Sequence, residues 1–167
     1  MLAFTAGIGL WRIYVQGRIQ LNNQLAVKRL DYLSQQLAEF YDPLFALLLT
    51  NSKAFNEAGP PSFPKDPLRR DTAGEVWKQV KEKVLVPNNA QIASIIRTKS
   101  HLIDECDSIA RYMALFQHIA MYEIFQKNPT ELYEKFQFPA GITRHVETVR
   151  DGLITKTKGA RQPNEFK

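Results

Sequence analysis

The residues best suited to chemistry lie between positions 101 and 123 of the 167-residue chain. His101 and Glu105 are four apart, a spacing that on a helix turns both toward one metal ion. His118, with Glu123 nearby, is the next candidate ligand. Bundles that build metal sites from facing helices draw on Glu-x-x-His pairs, and this chain has none. The spacing therefore favours a surface ion pair for His101 and Glu105. His118, beside Phe116, Ile119 and Met121, reads as a partly buried ring with a satisfied nitrogen. Cys106 is the sole cysteine, which excludes an intramolecular disulfide and any thiolate-rich zinc or iron–sulfur site. It stands between Glu105 and Asp107, and neighbouring carboxylates raise a thiol pKa where a nucleophile needs it lowered. Asp104 and Glu105 are adjacent, so on a helix they diverge by about 100° and do not converge as acid and base.

Other signatures are missing. There is no Gly-x-Ser-x-Gly, no phosphate-binding glycine loop and no His-Glu-x-x-His. Gly7-Ile8-Gly9 is too short for dinucleotide binding. No catalytic, metal or cofactor residue is assigned.

The charge is unevenly spread. The net charge is +5, yet residues 1–30 hold four basic and no acidic residues. Residues 143–167 hold six basic and three acidic, and the stretch between has a small acidic excess. A basic terminus attracts nucleic acid or an anionic membrane. The tail Lys156-Thr157-Lys158-Gly159-Ala160-Arg161 has too few cations for more than weak, salt-sensitive phosphate binding, so nucleic acid is the second reading.

The N-terminus favours the membrane. Met1 to Trp11 is uncharged and mostly apolar, and Arg12 follows. Tryptophan tolerates the headgroup layer and arginine prefers the cytoplasmic side, so Trp11, Arg12 and Arg18 are the expected membrane-interface residues. Eleven helical residues rise about 16 Å, roughly half a hydrocarbon core. The segment is thus the end of a transmembrane helix begun upstream, a short anchor, or the buried end of a soluble helix. Without a basic leader or small-residue cleavage site, a cleaved signal peptide is not expected.

Elements follow from periodicity. Ala26, Leu30, Leu33, Leu37, Phe40, Leu44 and Leu47 alternate by four and three, a seam for bundle packing or oligomerisation. Leu30, Leu33, Leu37 and Phe40 are its candidate contact residues. Pro43 predicts a kink or break, with Asp42 capping a new helix to about Phe55. Residues 57–71 carry four prolines and read as a long loop. Asp71 or Thr72 would cap a helix over 73–85 that buries Trp77, Val80 and Val84 and stops at Pro87. Asn88 or Asn89 would cap the next, which carries Ile92, Ile95, Ile96, Leu102 and Ile103. The apolar run 107–127 is expected to be the central helix, and its aromatic-rich face the place to seek a partner. A short helix follows Asn128-Pro129, and Pro139-Ala140-Gly141 opens the last, with Ile142, Val146, Val149 and Leu153 inward. No strand alternation appears.

The expected fold is all-α, an irregular helical bundle of about five to seven helices with a long projecting N-terminal helix. Its divisions are an apolar tip and basic flank (1–17), a helical domain (18–155) and a frayed basic tail (156–167).

Phe40-Tyr41-Asp42-Pro43-Leu44, Trp77 with Val80 and Val84, and Pro87-Asn88-Asn89 together resemble an uncharacterised bacterial family of small single-pass membrane proteins with a cytoplasmic helical domain. The resemblance spans about residues 12 to 127 and implies membrane topology and a helical fold, but no activity. This chain departs in its curtailed transmembrane segment. The expectation is a non-catalytic helical domain tethered to the inner membrane, facing the cytoplasm and acting through protein–protein contacts or as a homo-oligomer. Alternatives are a soluble cytoplasmic nucleic-acid binder, a helical metal-dependent enzyme and a membrane-acting effector.

Overall fold

The computed structural model describes residues 2–128 and 130–161, and these residues are all-α with no strand. They form α1 (Leu2–Gln36), α2 (Asp42–Ala58), α3 (Pro67–Val80), α4 (Val86–Lys99), α5 (Ile109–Lys127) and α6 (Ile142–Arg161). α1 runs into α2, and α3 into α4, through single widened turns, so the described residues make four continuous rods.

Both widened turns stand just before a proline. Leu37–Tyr41 is a π-helical turn in which the Asp42 N–H donates to the Leu37 oxygen, five residues back. Pro43 follows. Proline lacks an N–H and its ring crowds the carbonyl four residues earlier. Widening one turn moves that carbonyl aside without breaking the rod. Lys81–Leu85 repeats the device: the Val86 N–H donates to the Lys81 oxygen, and Pro87 comes next. The kink or break expected at Pro43 and the stop expected at Pro87 are therefore bulges in unbroken helices.

The expected caps change accordingly. Asp42 is helical and accepts from Arg150 Nε at 2.6 Å, tying α2 to α6. Asn88 and Asn89 reach across to the buried Asn51 of α2. Asn88 Nδ2 donates to Asn51 Oδ1 at 2.8 Å, and Asn51 Nδ2 donates to Asn89 Oδ1 at 3.0 Å. Reciprocal amide bonds satisfy polar groups that would otherwise be stranded between two helices.

The proline-rich loop is shorter than expected. α2 persists to Ala58, Pro60–Ser62 form a 3-10 turn, and α3 begins at Pro67. Its cap is Asp66, not Asp71 or Thr72: the carboxylate accepts the Arg69 N–H at 3.0 Å, with proline in the first turn. Gly59 is required where the chain leaves α2, because a Cβ there would sit 2.2 Å from the Phe55 backbone oxygen.

The core draws on every rod. The first supplies Leu33, Phe40, Tyr41, Leu44 and Leu48; Ile92 and Ile96 come from the second. Tyr112, Leu115 and Ile119 come from the third, and Ile142, Val146 and Leu153 from the fourth. The widened turn lets the neighbours Phe40 and Tyr41 both face inward, and the stripe continues through Leu48, leaving Leu47 only partly buried.

α5 is not the central helix. It packs on α4 and on the 3-10 segment Glu131–Phe136, and leaves Ile109, Met113 and Ile124 exposed. The inner place belongs to α2 and the turn before it, which contact both α4 and α6. α6 continues through Arg161 with Thr157 buried, so residues 156–161 are helical and not frayed; residues 162–167 lie outside the described ones.

α1 leaves the body at Leu30. Every side-chain position from Gln16 to Arg29 is exposed, a length of about 21 Å at helical rise. Among the described residues no helix is long and apolar enough to cross a membrane.

Candidate functional site

Two features emerge. One is a buried carboxylate that gathers four elements, and the other is the bare arm of α1.

Asp107 lies in the turn before α5 with its side chain only 1 % exposed. Oδ2 accepts from the Tyr112 hydroxyl at 2.5 Å and the Tyr41 hydroxyl at 3.0 Å. Oδ1 accepts the Ser108 N–H at 2.7 Å and meets His145 Nε2 at 2.7 Å. Local structure delivers each partner. The π turn rotates Tyr41 inward, α5 carries Tyr112, and Gly141, with φ of 73°, turns the chain so that α6 brings His145 back. Tyr41 Oη also accepts the Asp104 N–H at 2.9 Å. Asp104 in turn takes the Cys106 N–H at 3.0 Å and Lys156 Nζ at 3.1 Å.

The electrostatics follow from these bonds. Burial alone would raise the Asp107 pKa, but donors from Tyr112, His145, Tyr41 and Ser108 together hold it below the usual carboxylate value. Asp104 is likewise lowered, its partial burial outweighed by the Cys106 N–H and by Lys156. Burial drives both tyrosine hydroxyls well above their ordinary range, so they stay protonated donors.

A carboxylate orienting an imidazole is half of an acid–base dyad. The other half would have to come from the adjoining cleft of about 200 Å³, which Asp104, Cys106, Asp107, His145, Val149, Gly152 and Lys156 line. There Cys106 is exposed and meets the Asp104 carboxylate through its backbone N–H. Lys156 is paired with the same carboxylate. The cluster spends its donors on itself. It is a clasp joining the π turn, the 104–108 loop, α5 and α6.

The three residues weighed as metal ligands do not assemble. Residues 100–108 are a 3-10 turn and loop, which removes the shared helix face of His101 and Glu105. His118 is buried on α5, with Nδ1 2.6 Å from the Phe136 carbonyl oxygen and its ring edge-on to Phe138. Burial lowers its pKa, an effect the Phe136 carbonyl only partly offsets. Among the described residues no group of three or more His, Cys, Asp or Glu is placed to hold a metal ion.

Sequence reasoning passed over Tyr41, Asp107, Tyr112 and His145. A signal was available for one of them: Tyr112 lies in the apolar run 107–127, and a buried phenol needs a partner for its hydroxyl.

On α1, Trp11 is 67 % exposed and its ring lies 6.3 Å from that of exposed Tyr14. Arg18 Nε donates to the Tyr14 hydroxyl at 3.0 Å, with the guanidinium 5.5 Å from the Tyr14 ring centre. The side chain of Arg12 lies outside the described residues. Of the seam residues, Leu33 and Phe40 are in the core, Leu37 packs against it, and Leu30 is half-buried where the arm begins. Polar contacts lock this root: Gln36 Nε2 donates to the Leu102 oxygen at 2.9 Å, Tyr32 to the His101 oxygen at 3.2 Å, and Glu39 pairs with Lys99.

No protein-family model, curated protein or solved structure matches the chain.

Proposed function

We propose that this protein is a non-catalytic helical adaptor, held at the cytoplasmic face of the inner membrane through α1 and acting through protein contacts made by its body. One observation carries the reading: α1 stands clear of the bundle from Gln16 to Arg29 while its root is locked into the core. A rigid arm that contributes nothing to the fold along that length is available for docking. Its aromatic tip is followed by Arg18, Lys28 and Arg29, and cations of this kind seek the cytoplasmic, anionic leaflet. The exposed Ile109, Met113 and Ile124 of α5 offer the body an uncovered apolar strip for a partner or a second copy.

Fractionation of cells in low-salt buffer tests this. The full chain sediments with membranes, and a chain lacking residues 1–29 stays folded in the supernatant. A full chain found wholly in the supernatant sinks the proposal.

A further inference from the structure

Within the exposed arm the aromatic and basic residues share one face. At 100° per residue, Trp11, Tyr14, Leu21 and Leu25 fall within a sector of about 80°. Arg18 lies inside that sector, Arg29 at one edge, and Lys28 about 20° beyond the other. Among positions 14–29, this strip of about 100° holds only aromatic, leucine and basic residues. The far side carries Gln16, Gln20, Asn23 and Gln24, uncharged, with exposed Val27 among them and exposed Ile19 at their edge. The bundle does not cover the strip: Trp11, Tyr14, Arg18, Leu21, Leu25, Lys28 and Arg29 are all exposed.

We infer that the Trp11–Arg29 strip of α1 is an interfacial lipid-binding face that lies flat on an anionic bilayer surface; this rests on the membrane reading above and names its ligand. The charge on the arm selects among occupants. A second copy would set Arg18, Lys28 and Arg29 against their own kind, and α1 has no acidic residue before Asp31 to compensate. An anionic headgroup layer pairs with all three. Indole and phenol rings belong at that depth, and Leu21 and Leu25 can enter the acyl boundary while the basic heads reach outward to phosphate. Arg18 is already stacked on Tyr14, which leaves its remaining guanidinium N–H groups for a phosphate oxygen.

The test uses the full-length chain and vesicles of phosphatidylglycerol and phosphatidylcholine (three to seven) against pure phosphatidylcholine, at about 0.1 M salt. There the screening length is about 10 Å, close to the width of a helix, so a charge on the far face is felt weakly. Two triple variants change net charge equally: Arg18→Gln, Lys28→Gln, Arg29→Gln on the strip, and Gln16→Glu, Gln20→Glu, Gln24→Glu behind it. All six positions are exposed, so neither set disturbs the core. The wild type binds the anionic vesicles, the first variant at least tenfold more weakly, and the second within threefold. With Trp77→Phe, Trp11 is the remaining tryptophan, and its emission shifts to shorter wavelength on anionic vesicles only. Equal losses in the two triple variants, no emission shift, or no preference for anionic lipid would overturn the inference. If the full chain sediments with cell membranes yet ignores protein-free anionic vesicles, the lipid face is refuted while the membrane reading stands on a protein receptor. If it does neither, both fall.

Discussion

Asp107 is where single residues carry most. Its carboxylate is the common acceptor for two buried phenols, an imidazole and a backbone amide, and those donors come from three separate stretches of chain. Asp107→Ala strands both tyrosine hydroxyls in the core and is expected to cost about 2–4 kcal/mol of unfolding free energy, read from urea denaturation. Asp107→Asn keeps the volume and costs less, but removes the titration. Because the folded carboxylate pKa lies below its unfolded value, its stabilisation is complete above about pH 4 and is lost as pH falls through the folded value. The asparagine variant therefore shows a shallower acid limb. His118 acts higher on the scale. Burial depresses its pKa below the ordinary 6.5, so the folded state favours the neutral ring. Stability is full above that value and declines as pH drops below it, because the unfolded chain takes the proton first. His118→Gln flattens thermal stability in the window just below pH 6.5, whereas an unchanged slope would show the ring to be solvated. The Asp107 cluster as a whole was not legible in the chain: Tyr112 is close in sequence, but Tyr41 and His145 lie 66 and 38 residues away from it. Proximity of that kind is created by the bundle and has no spacing signature.

At the scale of elements, what could be read was the periodicity. The stripes Ile92–Ile96 and Ile142–Val146–Leu153 are buried as their 3.6-residue repeat requires, and the absence of alternation pointed away from sheet. The prolines misled. Pro43 promised a kink or break and Pro87 a stop by a local rule, but a break at Pro43 would have separated Phe40 and Tyr41 from Leu44, all three fully buried. Core packing outweighs the local preference, and a π turn reconciles the ring with a continuous rod. The cap assignments failed with the breaks, since Asn88 and Asn89 are cross-helix amides in mid-rod. One true terminus does depend on a single residue. Gly59 ends α2 with no room for a Cβ against the Phe55 carbonyl. Gly59→Ala forces the backbone to shift and is expected to destabilise by more than about 1 kcal/mol, opposite to the usual gain from replacing a flexible glycine. A melting temperature equal to or above wild type would show that the turn relaxes freely.

The whole molecule separates a nearly neutral body from a cationic arm. Four of the five net positive charges sit on Arg12, Arg18, Lys28 and Arg29, so removing residues 1–29 leaves a net charge of +1. The segment Gln16–Arg29 buries no side chain, while the root from Leu30 onward is held by Leu33, Gln36 and Phe40. Burial is what stabilises a fold, so the stability of this bundle resides in the chain after Leu30. A chain beginning at Leu30 is therefore expected to unfold in one cooperative transition within about 4 °C of the full-length melting temperature, the shift that 1 kcal/mol produces at this size. Circular dichroism adds a second check: the truncated chain loses helical signal in proportion to the residues removed and not more. A melting temperature lower by 10 °C or a broadened transition would mean that the arm packs on the body, and its exposed face would then not be available to lipid. A preserved transition would make the arm a separable device, whose residues are constrained by the surface it meets and not by the core behind it.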